Sequence, residues 1–154
     1  MLRVRIGRAG LVLTLVLALA SLVGLFSLTA AQAREGCMNS SLSGAYGFRE
    51  TGFFLGNGIT TDFAAASRVV FDGHGNFAGT STSSAGGTIA RDAPISGTYA
   101  VQSNCTVSMT VNGPGFTVHP ELVLVDKGKQ AFFVWTDPGT VVSGQGIRQD
   151  MPDN

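Results

Sequence analysis

The sequence predicts an all-β fold: one eight-stranded antiparallel barrel, with a β-sandwich as the alternative, behind an N-terminal signal peptide. Three observations carry this. Beyond residue 36 no stretch keeps a helical period, and 21 glycines across the chain argue against helices. Apolar and polar residues alternate at every second position in several stretches, the period of a strand with one buried face. Short turn-forming clusters separate these stretches, and gaps that short join antiparallel neighbours, because a parallel crossover needs a dozen residues or more.

The chain begins with a targeting segment. Arg3, Arg5 and Arg8 make a basic start, Leu11 to Leu28 is an uncharged apolar run, and Ala31-Gln32-Ala33 supplies the small-x-small site of a signal peptidase. Residues 1–33 are read as a signal peptide cut after Ala33. The alternative is an uncleaved anchor, since about 20 apolar residues span a bilayer. Lipid attachment at Cys37 is rejected because Arg34 and Glu35 stand where small apolar residues are required. The remaining Arg34–Asn154, about 120 residues, is one domain by size. It is expected to be exported, to the periplasm or beyond. With the three arginines removed, the 10 Lys and Arg fall to seven against 10 Asp and Glu, a net charge of about −3 with no basic cluster. Nucleic acid is not an expected partner, since phosphate neutralisation needs clustered cations.

Eight strands are expected, over 44–54, 63–71, 76–83, 94–101, 106–111, 116–125, 130–136 and 141–149. The clearest alternation sets Val107, Met109 and Val111 against Thr106, Ser108 and Thr110; Ile95, Gly97, Tyr99 and Val101 precede it. Between the strands lie Asp72-Gly73, Gly75-Asn76, Ser103-Asn104, Asn112-Gly113-Pro114-Gly115, Asp126-Lys127-Gly128 and Asp137-Pro138-Gly139. Each supplies a residue tolerant of positive φ or a proline that presets a turn. Residues 136–149 read as a turn and a last strand that pairs back to the first, and the tail from Gln149 as frayed. Closure into a barrel is favoured over a sandwich by small residues at alternate positions (Gly44, Gly52, Ala64, Ala66, Gly97, Gly144, Gly146), which permit strong coiling. Closure also removes exposed sheet edges.

Two cysteines remain after cleavage, Cys37 and Cys105. In an oxidising compartment they are expected to pair, closing a loop whose chain entropy is worth about 4 kcal/mol.

The stretch that looks most like chemistry is Phe71-Asp72-Gly73-His74-Gly75-Asn76-Phe77. Counted as a calcium loop from Asp72, it places Phe77 at the sixth position and Ser83 at the twelfth, where glycine and glutamate are required. A zinc site needs more ligands than His74 and the distant His119 supply. A hairpin turn between two core-facing phenylalanines accounts for every residue. No metal and no cofactor are expected. Ser143 lacks the first glycine of a nucleophile elbow, and no catalytic set is assigned. One carboxylate stands out. Glu50 shares a strand face with Tyr46, Phe48 and Phe54, and two readings are open. If that face points inward, Glu50 is a buried acid, with a raised pKa or paired with Arg68 or Arg148. If a bulge near Gly52 flips the register, it stands in water. In Phe132, Phe133 and Trp135, the last two share a face and serve as core filling, ligand wall or adhesive patch. Tyr46, Phe48, Glu50, Tyr99, Phe133 and Trp135 are the candidate pocket residues.

Several stretches together resemble a group of small secreted bacterial proteins with no assigned activity. They are Cys37–Phe48 (with Ser41-Leu42-x-Gly44-x-Tyr46-Gly47-Phe48 at its end), the Asp72–Asn76 hairpin, Gly97–Val101 before the second cysteine, and Thr136–Gly144. The resemblance spans nearly the whole exported part and implies a barrel similar in architecture to calycin-like and allene-oxide-cyclase-like barrels. It implies no activity. The expectation is a non-enzymatic barrel binding a small apolar ligand inside or an envelope partner outside. The alternatives are a barrel-cyclase-like enzyme using Glu50 and a purely structural or adhesive envelope protein.

Overall fold

The computed structural model describes residues 36–149. Segments 1–35 and 150–154, and with them the expected signal peptide, its cleavage site and most of the tail, lie outside the described residues.

The chain folds as a closed eight-stranded antiparallel barrel. Its strands are β1 (Ser43–Gly56), β2 (Ile59–Asp72), β3 (Asn76–Ala85), β4 (Thr88–Val101), β5 (Thr106–Gly113), β6 (Phe116–Val118), β7 (Pro120–Val125), β8 (Gln130–Trp135) and β9 (Thr140–Arg148). β6 and β7 both pair with β5 and form one barrel strand broken at His119. There the backbone N–H of His119 turns to Asp137 Oδ2 (2.7 Å), and its Nδ1 lies 2.7 Å from Oδ1. Every strand pairs with its sequence neighbours, and β9 pairs with β1 to seal the cylinder. Sequential pairing is what short turns impose.

Two hairpins are longer than the sequence reading had them. β1 and β2 run on to a two-residue turn at Asn57-Gly58, with φ of 51° and 74°, and β3 and β4 to Gly86-Gly87, with φ of 54° and 86°. Positive φ at both central positions matches the twist of paired strands, and Asn-Gly and Gly-Gly tolerate it. The bulk of the expected loops at 55–62 and 84–93 is therefore strand. A bulge in β4 absorbs the excess: Ser81 faces Ala93 and Ser83 faces Ala90, so Arg91 and Asp92 oppose Thr82 alone.

Inward positions alternate along every strand, and close packing over glycine shapes the wall. A Cβ on Gly97 would meet the Phe77 ring at 2.8 Å, and one on Gly144 the Phe133 ring at 2.6 Å. Rings and neighbouring strands close in on these bare positions, which lets the strands coil tightly.

One end of the barrel is capped. Gly36 to Leu42, with a 3-10 turn over Asn39–Ser41, folds across it. Asn39 Oδ1 accepts from the Val101 N–H (2.8 Å), and the Tyr99 hydroxyl donates to the Leu42 carbonyl (2.8 Å). Leu42 and Tyr46 have no exposed surface. The disulfide Cys37–Cys105 fastens this segment, its Cα atoms 4.9 Å apart. The start of the tail is tied as well: the Gln149 N–H donates to the Ala45 carbonyl (2.8 Å), and its side chain accepts from Arg68 (3.1 Å). Gln149 is thus held to the barrel wall, where the sequence reading had it frayed.

Candidate functional site

The Asp72–Asn76 stretch is a turn at the capped end. Phe71 and Phe77 pair across it with rings 5.5 Å apart, both buried. Asp72 collects the Asn76 side-chain amide (2.9 Å) and the backbone N–H groups of Asn76 (2.9 Å) and His74 (2.7 Å). These bonds hold its carboxyl down to about 2, as accepted hydrogen bonds favour the charged form. The acid's side-chain hydrogen bonds all fall within its own turn.

The opposite end is hollow. A cavity of about 450 Å³ occupies the interior below the turns at 57–58, 86–87, 113–115 and 137–139. Small-molecule sites fall in a range of about 300–1,000 Å³. Val69, Phe77, Met109 and Leu122 belong both to the packed core and to the cavity lining, so they form its floor. The two walls differ in kind. β1 and β8 contribute Phe48, Phe54, Phe133 and Trp135, while β3 and β4 contribute Ser81, Ser83, Ala90 and Ala93. The void exists because large side chains on one wall face small ones on the other.

Glu50 lies in this cavity. β1 keeps an unbroken register with β2 through Glu50↔Ala65 and Gly52↔Phe63, and with β9 through Glu50↔Gly144 and Gly52↔Val142. There is no bulge at Gly52. That glycine instead lets β9 approach, since a Cβ there would run into the Val141 carbonyl. Parity along β1 is preserved, and Glu50 shares the inward face with Phe48 and Phe54. Ser67 Oγ lies 3.4 Å from Glu50 Oε1 and 2.9 Å from Ser81 Oγ. Its one proton is free for the carboxylate when Ser81 donates to it. Burial pushes the Glu50 carboxyl up, and hydrogen bonds from Ser67 and the Trp135 indole oppose the rise without cancelling it.

The arginines considered as its partners are elsewhere. Arg68 alternates with the buried Ser67 and Val69, so it points outward, to Gln149. Arg148 sits at the capped end against Gly44. Among the described residues the one close contact between a basic and an acidic side chain is His119–Asp137, so Glu50 has no cationic partner there.

The six candidate pocket residues divide along the barrel axis. Phe48, Glu50, Phe133 and Trp135 line the cavity. Tyr46 and Tyr99 do not: they belong to the capped end, where Tyr46 donates to the Gly128 carbonyl and Tyr99 to Leu42. Alternation placed all six on inner faces, but depth along the axis separates them. The sequence reading missed Phe54 and Phe63 as wall residues. Their rings are 5.0 Å apart, and Trp135 stands 5.3 Å from Phe63 and 6.0 Å from Phe54. It also missed Ser67 and Ser81. Phe54 already shared the face of Glu50, and the Asn57-Gly58 dipeptide, which carries β1 and β2 past the expected strand ends at Phe54 and Phe63, was the signal that both belong to the wall. On the outside, Phe132 pairs with Val123 across β8 and β7 and is 51% exposed, with Val134 beside it. "AFFVWT" therefore makes cavity wall on one face and an apolar surface stripe on the other.

Fold and site together define a closed antiparallel β-barrel with an aromatic, acid-bearing internal cavity. No family model matches the chain, and no curated protein matches it. Among solved structures it is similar to a redesigned β-barrel, at 20% identity and a TM-score of 0.50, over 79% of this chain and 100% of that one. At that identity the likeness speaks to the barrel fold alone.

Proposed function

We propose that this protein is a small exported bacterial barrel that binds an apolar small molecule in its open end. The observation that carries the reading is the cavity of about 450 Å³ walled by Phe48, Phe54, Phe63, Phe133 and Trp135. Apolar walls with a few convergent polar groups are the usual composition of a ligand site, and Glu50, Ser67 and Ser81 are those groups. Export rests on the basic, apolar and Ala-Gln-Ala segments at the N-terminus, and the Cys37–Cys105 pairing is in keeping with an oxidising compartment. The architecture fits the calycin-like and cyclase-like barrels that the motifs resemble. Binding is preferred to the cyclase-like alternative because no imidazole, amine or second carboxyl stands with Glu50 among the cavity-lining residues. An envelope partner, if one docks, has the outward stripe of Val123, Phe132 and Val134 to use.

Native purification from the producing cell, followed by mass spectrometry, tests the reading. The expected result is a polypeptide beginning at Arg34 and an apolar small molecule in the organic extract. An extract without one, together with no response of the Trp135 fluorescence to added decanol, overturns it.

A further inference from the structure

We propose that the cavity is selective for apolar amines, seating the ammonium group against Glu50 and the ring faces of Phe54, Phe63 and Trp135. The inference rests on the cavity being a binding site and specifies the chemistry it takes.

Glu50 is the one ionisable side chain among the residues that line the cavity. On β2 the groups facing it are Phe63, Ala65 and Ser67; on β9 its partner is Gly144; from β8 come Phe133 and Trp135. None of them titrates in the working range. Among the described residues the site therefore carries one carboxyl and no built-in cation, and Arg68 and Arg148 lie outside it. An acid kept from water without a counter-ion is costly. A cation arriving with the ligand removes that cost, whereas a ligand carboxylate brings like charge into the same space.

The rings supply the second half of the recognition. Phe54 is two inward positions along β1 from Glu50, Phe63 pairs with the intervening Gly52, and Trp135 lines the same cavity as the carboxyl. Their centroids lie 5.0 to 6.0 Å from one another. Ring faces attract a cation placed over them, tryptophan most strongly, and the attraction grows when water is excluded. Three rings toward the open end and a carboxylate deeper in the same apolar chamber thus form an ammonium seat, with the rest of the chamber for the ligand's hydrocarbon. The polar ladder fits this arrangement. Ser67 steadies one carboxylate oxygen at 3.4 Å and is itself backed by Ser81.

The experiment titrates the purified protein at pH 7 with decylamine, decanol and decanoate, three probes with one chain and different heads. Binding is read from Trp135, the only tryptophan of the chain, which reports the cavity rather than the outer surface. Decylamine is expected to bind about 10- to 100-fold more tightly than decanol, the worth of one charged hydrogen-bonded contact, with decanoate weakest. Glu50→Gln is expected to bring decylamine to within a few-fold of decanol. Equal affinities for the three heads in the wild type, or a preference for decanoate, overturn the amine assignment and leave the cavity reading intact. So does an amine preference that survives in Glu50→Gln. Failure of all three probes to bind removes the cavity reading itself, and the assignment with it. Because the wild-type ranking needs no variant, a misfolded Glu50→Gln does not spoil the test.

Discussion

The capped and open ends of this barrel are built from the same strands with the same inward alternation, yet one is solid and the other holds about 450 Å³ of cavity. At the capped end, Phe71 meets Tyr46 at 5.3 Å, Tyr99 at 5.2 Å and Phe77 at 5.5 Å between centroids. Large residues from β1, β2, β3 and β4 converge there, and the Gly36–Leu42 segment covers what remains. At the open end the aromatics come mainly from β1, β2 and β8, with Phe116 of β6, and the β3–β4 wall offers Ser81, Ser83, Ala90 and Ala93. The capped end is where stability is concentrated; the open end gives up packing for space.

The largest effect that sharpens this contrast is truncation of a ring at each end. Phe71 is 2% exposed, and Phe71→Ala is expected to cost about 3–5 kcal/mol through lost burial and the cavity left behind. Phe63 already borders open space, so Phe63→Ala creates little new void and is expected to cost only about 1 kcal/mol. Denaturant titration measures both, and equal costs would break the distinction.

Next comes the disulfide. Cys37 and Cys105 are 68 positions apart and fasten the cap segment, so reduction is expected to lower unfolding stability by about 2–4 kcal/mol. The loss should appear first as hydrogen exchange at Val101 and Leu42, whose N–H groups donate to Asn39 of the cap, while amides of β1 and β2 near Asn57-Gly58 stay as they were. Uniform loosening of both ends would argue that the cap is not a separate element.

The smallest effect belongs to Glu50. Burial raises its native pKa above the unfolded value, so between the two the native state holds the extra proton and stability falls as pH rises. The window opens near the ordinary glutamate value of about 4.3 and closes above the raised native one. Glu50→Gln should remove that slope, giving a variant more stable than the wild type at pH 7 and little different at pH 4. Melting temperatures from pH 4 to 8 measure it. Parallel curves for the two proteins would mean that the acid is solvated after all.

The sequence alone determined the class of fold, the antiparallel order, the Asp72–Asn76 turn and the pairing of Cys37 with Cys105. These are short-range or two-body matters: period-two alternation, positive-φ turn residues and two thiols. It left Glu50 between two readings, because a single bulge would have reversed its side, and only the unbroken pairing of Gly52 with Phe63 and Val142 decided it. It also grouped Tyr46 and Tyr99 with Phe133 and Trp135, since alternation reports which side of the wall a residue takes and nothing about its depth along the axis. Tertiary structure decided the cavity for the same reason. Its volume depends on which side chains meet across the barrel, β1 and β8 against β3 and β4, and those strands are not neighbours in the chain.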